Sequence, residues 1–272
     1  ISGDFAGWNF GLMQGGFGGL LIATLLMAVM YTSMVFGLAE LSAAIPTAGG
    51  GYRFARRARG PLGGFLTGSA MLLEYAIAPA AIVIFISGYL SELVGLSGPF
   101  VYVAFYTLFV GLHLWGAGEA LKIMLGITAV AVLALLLFVI AMIPHFNPSN
   151  LFDIPVDDTA FGASALLPKG WVGVWSAIPF AIWFFLAVEG VPLAAEESED
   201  PGRDVPRGII NSMIILLASA SLVLVLAPGG SSAAMMQDHP APLVGALQYV
   251  YGENAWIPAA VNILGLAGLI AS

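Results

Sequence analysis

Leu186-Ala187-Val188-Glu189-Gly190 sets an acid and a glycine inside an apolar run that starts at Trp171 and ends near Ala195. Ile1-Ser2-Gly3-Asp4-Phe5 does the same at the head of the first apolar segment, a stub reaching about Met13. A carboxylate beside glycine in a greasy helix is costly in lipid, so two such interruptions read as discontinuous helices that turn backbone groups toward a buried solute. The decision between a membrane transporter and any soluble fold rests on these two stretches.

Composition agrees. Of 272 residues 60% are hydrophobic and only 9% charged, against roughly 25% charged in a soluble domain. No charge occurs from Phe5 to Ala39, more chain than the ~20 residues that one span needs. In lipid every backbone polar group must bond internally, so these runs must be helices, and no two-residue alternation suggests a barrel. There is no cysteine, and His113, His145 and His239 lie too far apart for metal-ligand spacing, so no metal and no cofactor is expected. A net charge of −8 with no basic footprint excludes a nucleic-acid partner.

Outward from the two breaks, the apolar runs predict an all-α polytopic membrane protein, a single transmembrane domain over residues 1–272 with about eight helices, the first and last incomplete. After the stub come about 17–41, 62–90, 99–117, 120–143, 171–195 and 208–227, with an eighth from Trp256. Gly98-Pro99, Asn147-Pro148 and Asp200-Pro201 punctuate the loops. Pro242 to Tyr251 predicts a short amphipathic helix outside the membrane. With the loop after the second helix in the cytoplasm, Arg53, Arg56, Arg57, Arg59, Lys122, Arg203 and Arg207 fall inside and only Lys169 outside, a consistent positive-inside pattern. The missing leader, and the stop inside an apolar run, predict a portion of a longer transporter.

Asp4 reads as a carboxylate for a substrate ammonium, beside Phe5, Trp8 and Phe10, whose faces favour cations by about 0.5–2 kcal/mol. Its alternative is a helix cap at the membrane surface. Glu74 falls near the middle of the third run, where an isolated charge costs about 2.5–3.5 kcal/mol and so must face water or carry a proton. A protonated glutamate bonded between helices is the alternative, and Tyr75 adds a hydroxyl next to it. Glu189 reads as a cap for freed amides, a gating or coupling acid, or a direct ligand. Trp183, Phe184 and Phe185 are packing or a substrate lid. Pro46 to Tyr52 reads as a flexible gate hinge. The acidic run Glu196-Glu197-Ser198-Glu199-Asp200 is an inner-gate partner for the arginines or a solvated face, and the acidic loop 144–170 a cover for the outer mouth or a plain connector.

Ile45-Pro46-Thr47-Ala48-Gly49-Gly50-Gly51-Tyr52 with Ala58-Arg59-Gly60-Pro61 resembles the first cytoplasmic loop of the amino acid–polyamine–organocation transporters. Ser2-Gly3 is similar to their helix-one break, and Ala195-Glu196-Glu197 through Val205-Pro206-Arg207 to their stretch after helix six. Within that superfamily Ile1 to Asn9, Leu73-Glu74-Tyr75-Ala76-Ile77-Ala78-Pro79 and Ile178 to Gly190 most resemble bacterial ethanolamine permeases.

The resemblance implies a five-plus-five inverted-repeat fold in the inner cell membrane. Substrate would lie between helices one, three, six and eight, with alternating access by rocking of the helix one/six bundle. It also implies pocket positions at Asp4, Glu74, Tyr75 and Trp183, flanked by Phe184 and Glu189; Ser2, Gly3 and Phe184 complete the expected substrate site, with Trp8 and Glu189 in gating or coupling. The expected solute is ethanolamine or a close amine, its ammonium between Asp4 and Glu74 and its hydroxyl near Ser2 or Tyr75. A cationic amino acid or polyamine exchanger is the alternative, and a membrane nutrient sensor a more distant one; none of these is an enzyme. Asp4 occupies the position after the break where amino-acid carriers offer bare amides to a carboxylate, and it would repel that group. Related proton symporters resemble one another in a helix-five lysine; none lies between Ile123 and Ile143, so coupling to a proton or cation would fall to Glu74 or Glu189.

Overall fold

A computed structural model describes residues 1–115 and 117–270, without the side chains of 112, 113, 115 and 117–123. The inward charge expected at Lys122, and His113, therefore lie outside the described side chains. The described residues form helices and no strand: α1 (Ser2–Phe5), α2 (Phe10–Ala44), α3 (Gly50–Val94), α4 (Pro99–Trp115) and α5 (Ala117–Met142), then α6 (Gly170–Ala181), α7 (Pro201–Gly230), α8 (Ala233–Met236), α9 (Pro242–Tyr251) and α10 (Trp256–Ile270). The protein is an all-α, multi-pass membrane protein. Among the described residues five helical stretches are long and apolar enough to cross a membrane, and α10 adds a shorter apolar helix.

Two of the long helices bend where glycine sits. Gly16, at φ 67°, separates the end of the first apolar segment from the second inside α2. Gly60, at φ 73°, separates Gly50–Arg59 from the long apolar stretch that begins at Pro61 in α3. Only glycine reaches this backbone region without steric cost. On the apolar stretch Leu62, Phe65, Leu72 and Leu73 are all more than 60% exposed, an apolar surface that a water-soluble monomer does not leave bare but lipid covers.

By contact the chain divides into two compact units. The first comprises 1–26, 82–184 and 219–272. In it α10 packs along α5 and α9, and the short α1 rests against α10. The close approach is made by small residues: a Cβ at Gly265 would stand 2.8 Å from the Phe5 ring, and one at Gly268 2.6 Å from Ala131. Without a hydrophobic drive between helices in lipid, such backbone proximity supplies the packing energy. Phe5, Trp8, Leu12, Tyr89, Phe138 and Phe184 are fully buried here. The second unit comprises 27–81 and 185–218, with Tyr31, Val35, Phe54, Val188, Ile209 and Met213 buried.

α4 and α5 start and end within a few residues of the expected runs and α9 covers the predicted Pro242–Tyr251, whereas α7 begins at Pro201 rather than Gly208 and α6 ends at Ala181 rather than near Ala195. Two local differences stand out. Ser2 and Gly3 are helical, and the chain unwinds after them, at Ala6 to Asn9. Beyond the helix-six break the chain continues as a 3-10 helix, Val188–Glu197, rather than as α-helix. Residues 143–170 hold two short 3-10 turns, Ile143–His145 and Pro148–Phe152.

Candidate functional site

In the first unit the site is built around the end of α1. Four residues make too short a helix to satisfy its own carbonyls, and side chains from elsewhere do so. The Trp8 indole N–H donates to the Asp4 carbonyl at 2.9 Å, and the Tyr89 hydroxyl to the Phe5 carbonyl at 2.8 Å. Ala6 is extended and Gly7 takes φ 96°, so the chain reverses out of the helix before restarting at Phe10. Asn9 anchors the unwound segment by donating to the carbonyls of Met236 (2.9 Å) and His239 (3.1 Å).

Asp4 is fully buried at this break. Its Oδ2 accepts a 2.9 Å hydrogen bond from the Ser219 hydroxyl of α7, and its Oδ1 has no partner. A buried carboxylate oxygen left open is expensive unless a cation or donor completes it. Aromatic groups surround the same turn. The Trp8 ring stacks on Phe184 with centroids 5.6 Å apart, and Trp183 meets Phe85 edge-on at 5.4 Å. The Trp183 indole also covers Gly7, where an added Cβ would stand 3.1 Å from the ring.

The remaining sequence-predicted residues of this unit play different parts. Gly3 is a point of helix contact: a Cβ there would overlap the Trp183 carbonyl oxygen. Ser2 is half-buried. Asp4, Trp8, Trp183 and Phe184 are thus brought together, with Gly3 setting the distance between α1 and the chain at Trp183.

Glu74, Tyr75 and Glu189 belong to the second unit. Here the helix-six break falls at Phe185 to Ala187, and Ala187 takes a left-handed conformation at φ 71°. That conformation costs a residue with a Cβ about 1–2 kcal/mol, and such strain concentrates at functional positions. Glu189 follows two residues later. Both its carboxylate oxygens are buried with no partner of hydrogen-bonding geometry, and the Glu74 carboxyl lies beside them. Tyr31 and Tyr75 lie within electrostatic range of the same two acids. Gly190 leaves room for the Tyr75 hydroxyl, which would stand 2.5 Å from an added Cβ, and Tyr31 packs on Phe185 at 5.6 Å.

The acidic run 196–200 is largely exposed, and among the described residues it makes no ion pair with the arginines of 53–59. No group of acids, histidines or cysteines among the described residues has the geometry of a metal site.

Ser219, Asn9, Tyr89 and Tyr31 do not stand among the candidate site residues of the sequence. Asn9 carried a signal, being a polar residue inside a broken apolar segment. Ser219 carried none, as it lies 215 positions from its partner in an ordinary apolar helix.

The model of the amino acid permease family matches residues 2–271. An uncharacterized transporter of Rhizobium meliloti is 31% identical over 84% of this chain and 49% of its own length. The branched-chain amino acid permease BcaP of Bacillus subtilis is 26% identical, over 92% of this chain and 56% of its own. Cationic amino acid transporter 7, chloroplastic, of Arabidopsis thaliana is 25% identical, over 92% and 44% respectively. The chain spans about half the length of these curated relatives.

Proposed function

The chain belongs to the amino acid permease family, a family of transporters, and we propose that its solute is ethanolamine or a similarly small amine. The observation that carries this reading is Asp4: a fully buried carboxylate at a helix break, one oxygen held by Ser219 and the other open. An ammonium group completes that oxygen, and the faces of Trp8 and Trp183 at the same break add cation–π attraction. A solute carboxylate brought to the same place meets a negative charge in a medium of low dielectric, and is repelled. Ethanolamine has an ammonium and a hydroxyl and lacks the carboxylate.

In this reading the full-length protein moves the amine by alternating access, with the Glu74–Glu189 pair as the candidate for coupling to a proton or cation. Two carboxyl groups side by side cannot both hold their charge cheaply, which gives the pair a reason to take up one cation per cycle.

Cationic amino acids are the second reading, favoured by the similarity to proteins named cationic amino acid transporters. The full-length transporter in proteoliposomes, each set loaded with one unlabelled solute (ethanolamine, lysine, putrescine or leucine) and given the same solute labelled outside, separates the two. Counterflow with ethanolamine alone supports the first. Counterflow with lysine at equal rate replaces it by the second, and counterflow with leucine alone rejects a cation site at Asp4.

A further inference from the structure

We propose that the arginine face of Gly50–Arg59 is a binding site for a phosphate-bearing anion, separate from the amine site and independent of that reading. Arg53, Arg56 and Arg57 lie at helical spacings of three and four, so they share one face. With Ile45 and Thr47 they line a cavity of about 370 Å³, within the size range of small-molecule sites. Arg56 is held in place by donating from Nη1 to the Tyr52 hydroxyl at 2.8 Å. Among the described residues no acidic side chain neutralises the three.

Positive-inside anchoring alone asks only that basic residues be present, not that they converge on a cavity. Arg59 supplies the comparison: it has the same charge on the same short helix and does not line the cavity. Guanidinium groups pair with phosphate oxygens through parallel N–H donors, and three of them around one space form a cradle for a single phosphate. The chain then turns at Gly60 into the apolar stretch where Leu62, Phe65 and Leu66 are exposed, which sets the cavity at the level of lipid head groups. A juxtamembrane arginine cluster at that depth matches an anionic phospholipid, though a soluble phosphate has the same chemistry.

The test uses the full-length protein in nanodiscs of phosphatidylcholine, with phosphatidylglycerol added in one arm and inorganic phosphate in the other. Binding is read by thermal shift and, for the lipid, by native mass spectrometry. The wild-type protein is expected to be stabilised by phosphatidylglycerol. Arg53→Gln/Arg56→Gln/Arg57→Gln should weaken that response by about tenfold or more, while Arg59→Gln retains it. Stabilisation by inorganic phosphate alone, with the same dependence on the three arginines, supports the cradle with a soluble ligand. If the triple variant does not fold, Arg57→Gln, which leaves the Arg56–Tyr52 bond intact, takes its place. Equal losses in Arg59→Gln and the cavity variants, or no response of the wild-type protein to either anion, would overturn the proposal.

Discussion

Ser219 in α7 donates a 2.9 Å hydrogen bond to Oδ2 of Asp4 and leaves Oδ1 without a partner. The serine fixes the rotation of the carboxylate, so the open oxygen has one orientation rather than several. A preorganised acceptor of this kind loses less entropy when a cation arrives.

Asp4→Asn keeps the shape and removes the charge. Ammonium binding should weaken by about 2 kcal/mol or more, roughly thirtyfold in affinity. Ser219→Ala should cost about 1 kcal/mol, roughly fivefold. Binding of labelled ethanolamine to the full-length protein measures both, and full retention by Asp4→Asn rules out Asp4 as the ammonium partner.

Gly3 tests the packing on which that geometry depends. Because a Cβ there overlaps the Trp183 carbonyl oxygen, Gly3→Ala must push α1 away from the chain at Trp183. Overpacking costs about 1–3 kcal/mol, so the melting temperature should fall clearly. Gly37→Ala, in α2, where nothing lies within 4 Å, should leave it unchanged or slightly raised. Equal melting temperatures for the two variants would show that the close approach is not a constraint.

Much of this architecture was legible in the sequence, for physical reasons that can be named. Apolar runs bounded by Gly-Pro and Asp-Pro marked the helices, since lipid admits only helices or closed barrels and the alternation of a barrel is absent. The helix-six interruption was visible because Glu189-Gly190 contradicts its surroundings. In helix one the acid is visible in the sequence, whereas Ser2-Gly3, the expected break, is helical and the chain unwinds at Ala6 to Asn9. Glycine has two uses that sequence cannot separate: Gly7 supplies a positive φ, whereas Gly3 supplies proximity. The 3-10 course of Val188–Glu197 was hidden because its apolar spacing also suits an α-helix. Ser219 and Tyr89 were invisible, as their roles depend on distant partners.

The loop between α5 and α6 offers a pH test outside the membrane. Asp157 accepts from the Thr159 hydroxyl at 2.6 Å and from its N–H at 3.1 Å. These bonds, the side-chain one foremost, hold its carboxyl below the ordinary value of 3.8, and Lys169 adds attraction. With a folded value below the unfolded one, the charge supports the turn fully above pH ~4 and stops doing so as pH falls through the lower folded value. Thr159→Val removes the stronger bond and should move the titration toward 3.8. Carbon-13 NMR of labelled aspartate reads both, and identical titration in the two proteins would contradict the turn's role.

The Glu74–Glu189 pair yields the sharpest test of coupling. Both buried oxygens of Glu189 lack a partner of hydrogen-bonding geometry and its neighbour is another acid, so two bare carboxylates there would repel. If a proton taken up there drives accumulation, Glu189→Gln places a permanent neutral amide where the cycle needs a group that can gain and lose charge. Exchange of amine for amine does not require that change, whereas uphill uptake does. Glu189→Gln should therefore lose most accumulation driven by an inward proton gradient while keeping counterflow near the wild-type rate. Both are measured in the same proteoliposomes of full-length protein, with and without a pH step. Accumulation that survives the substitution would place coupling elsewhere, and loss of counterflow together with accumulation would make Glu189 part of solute binding or of the fold.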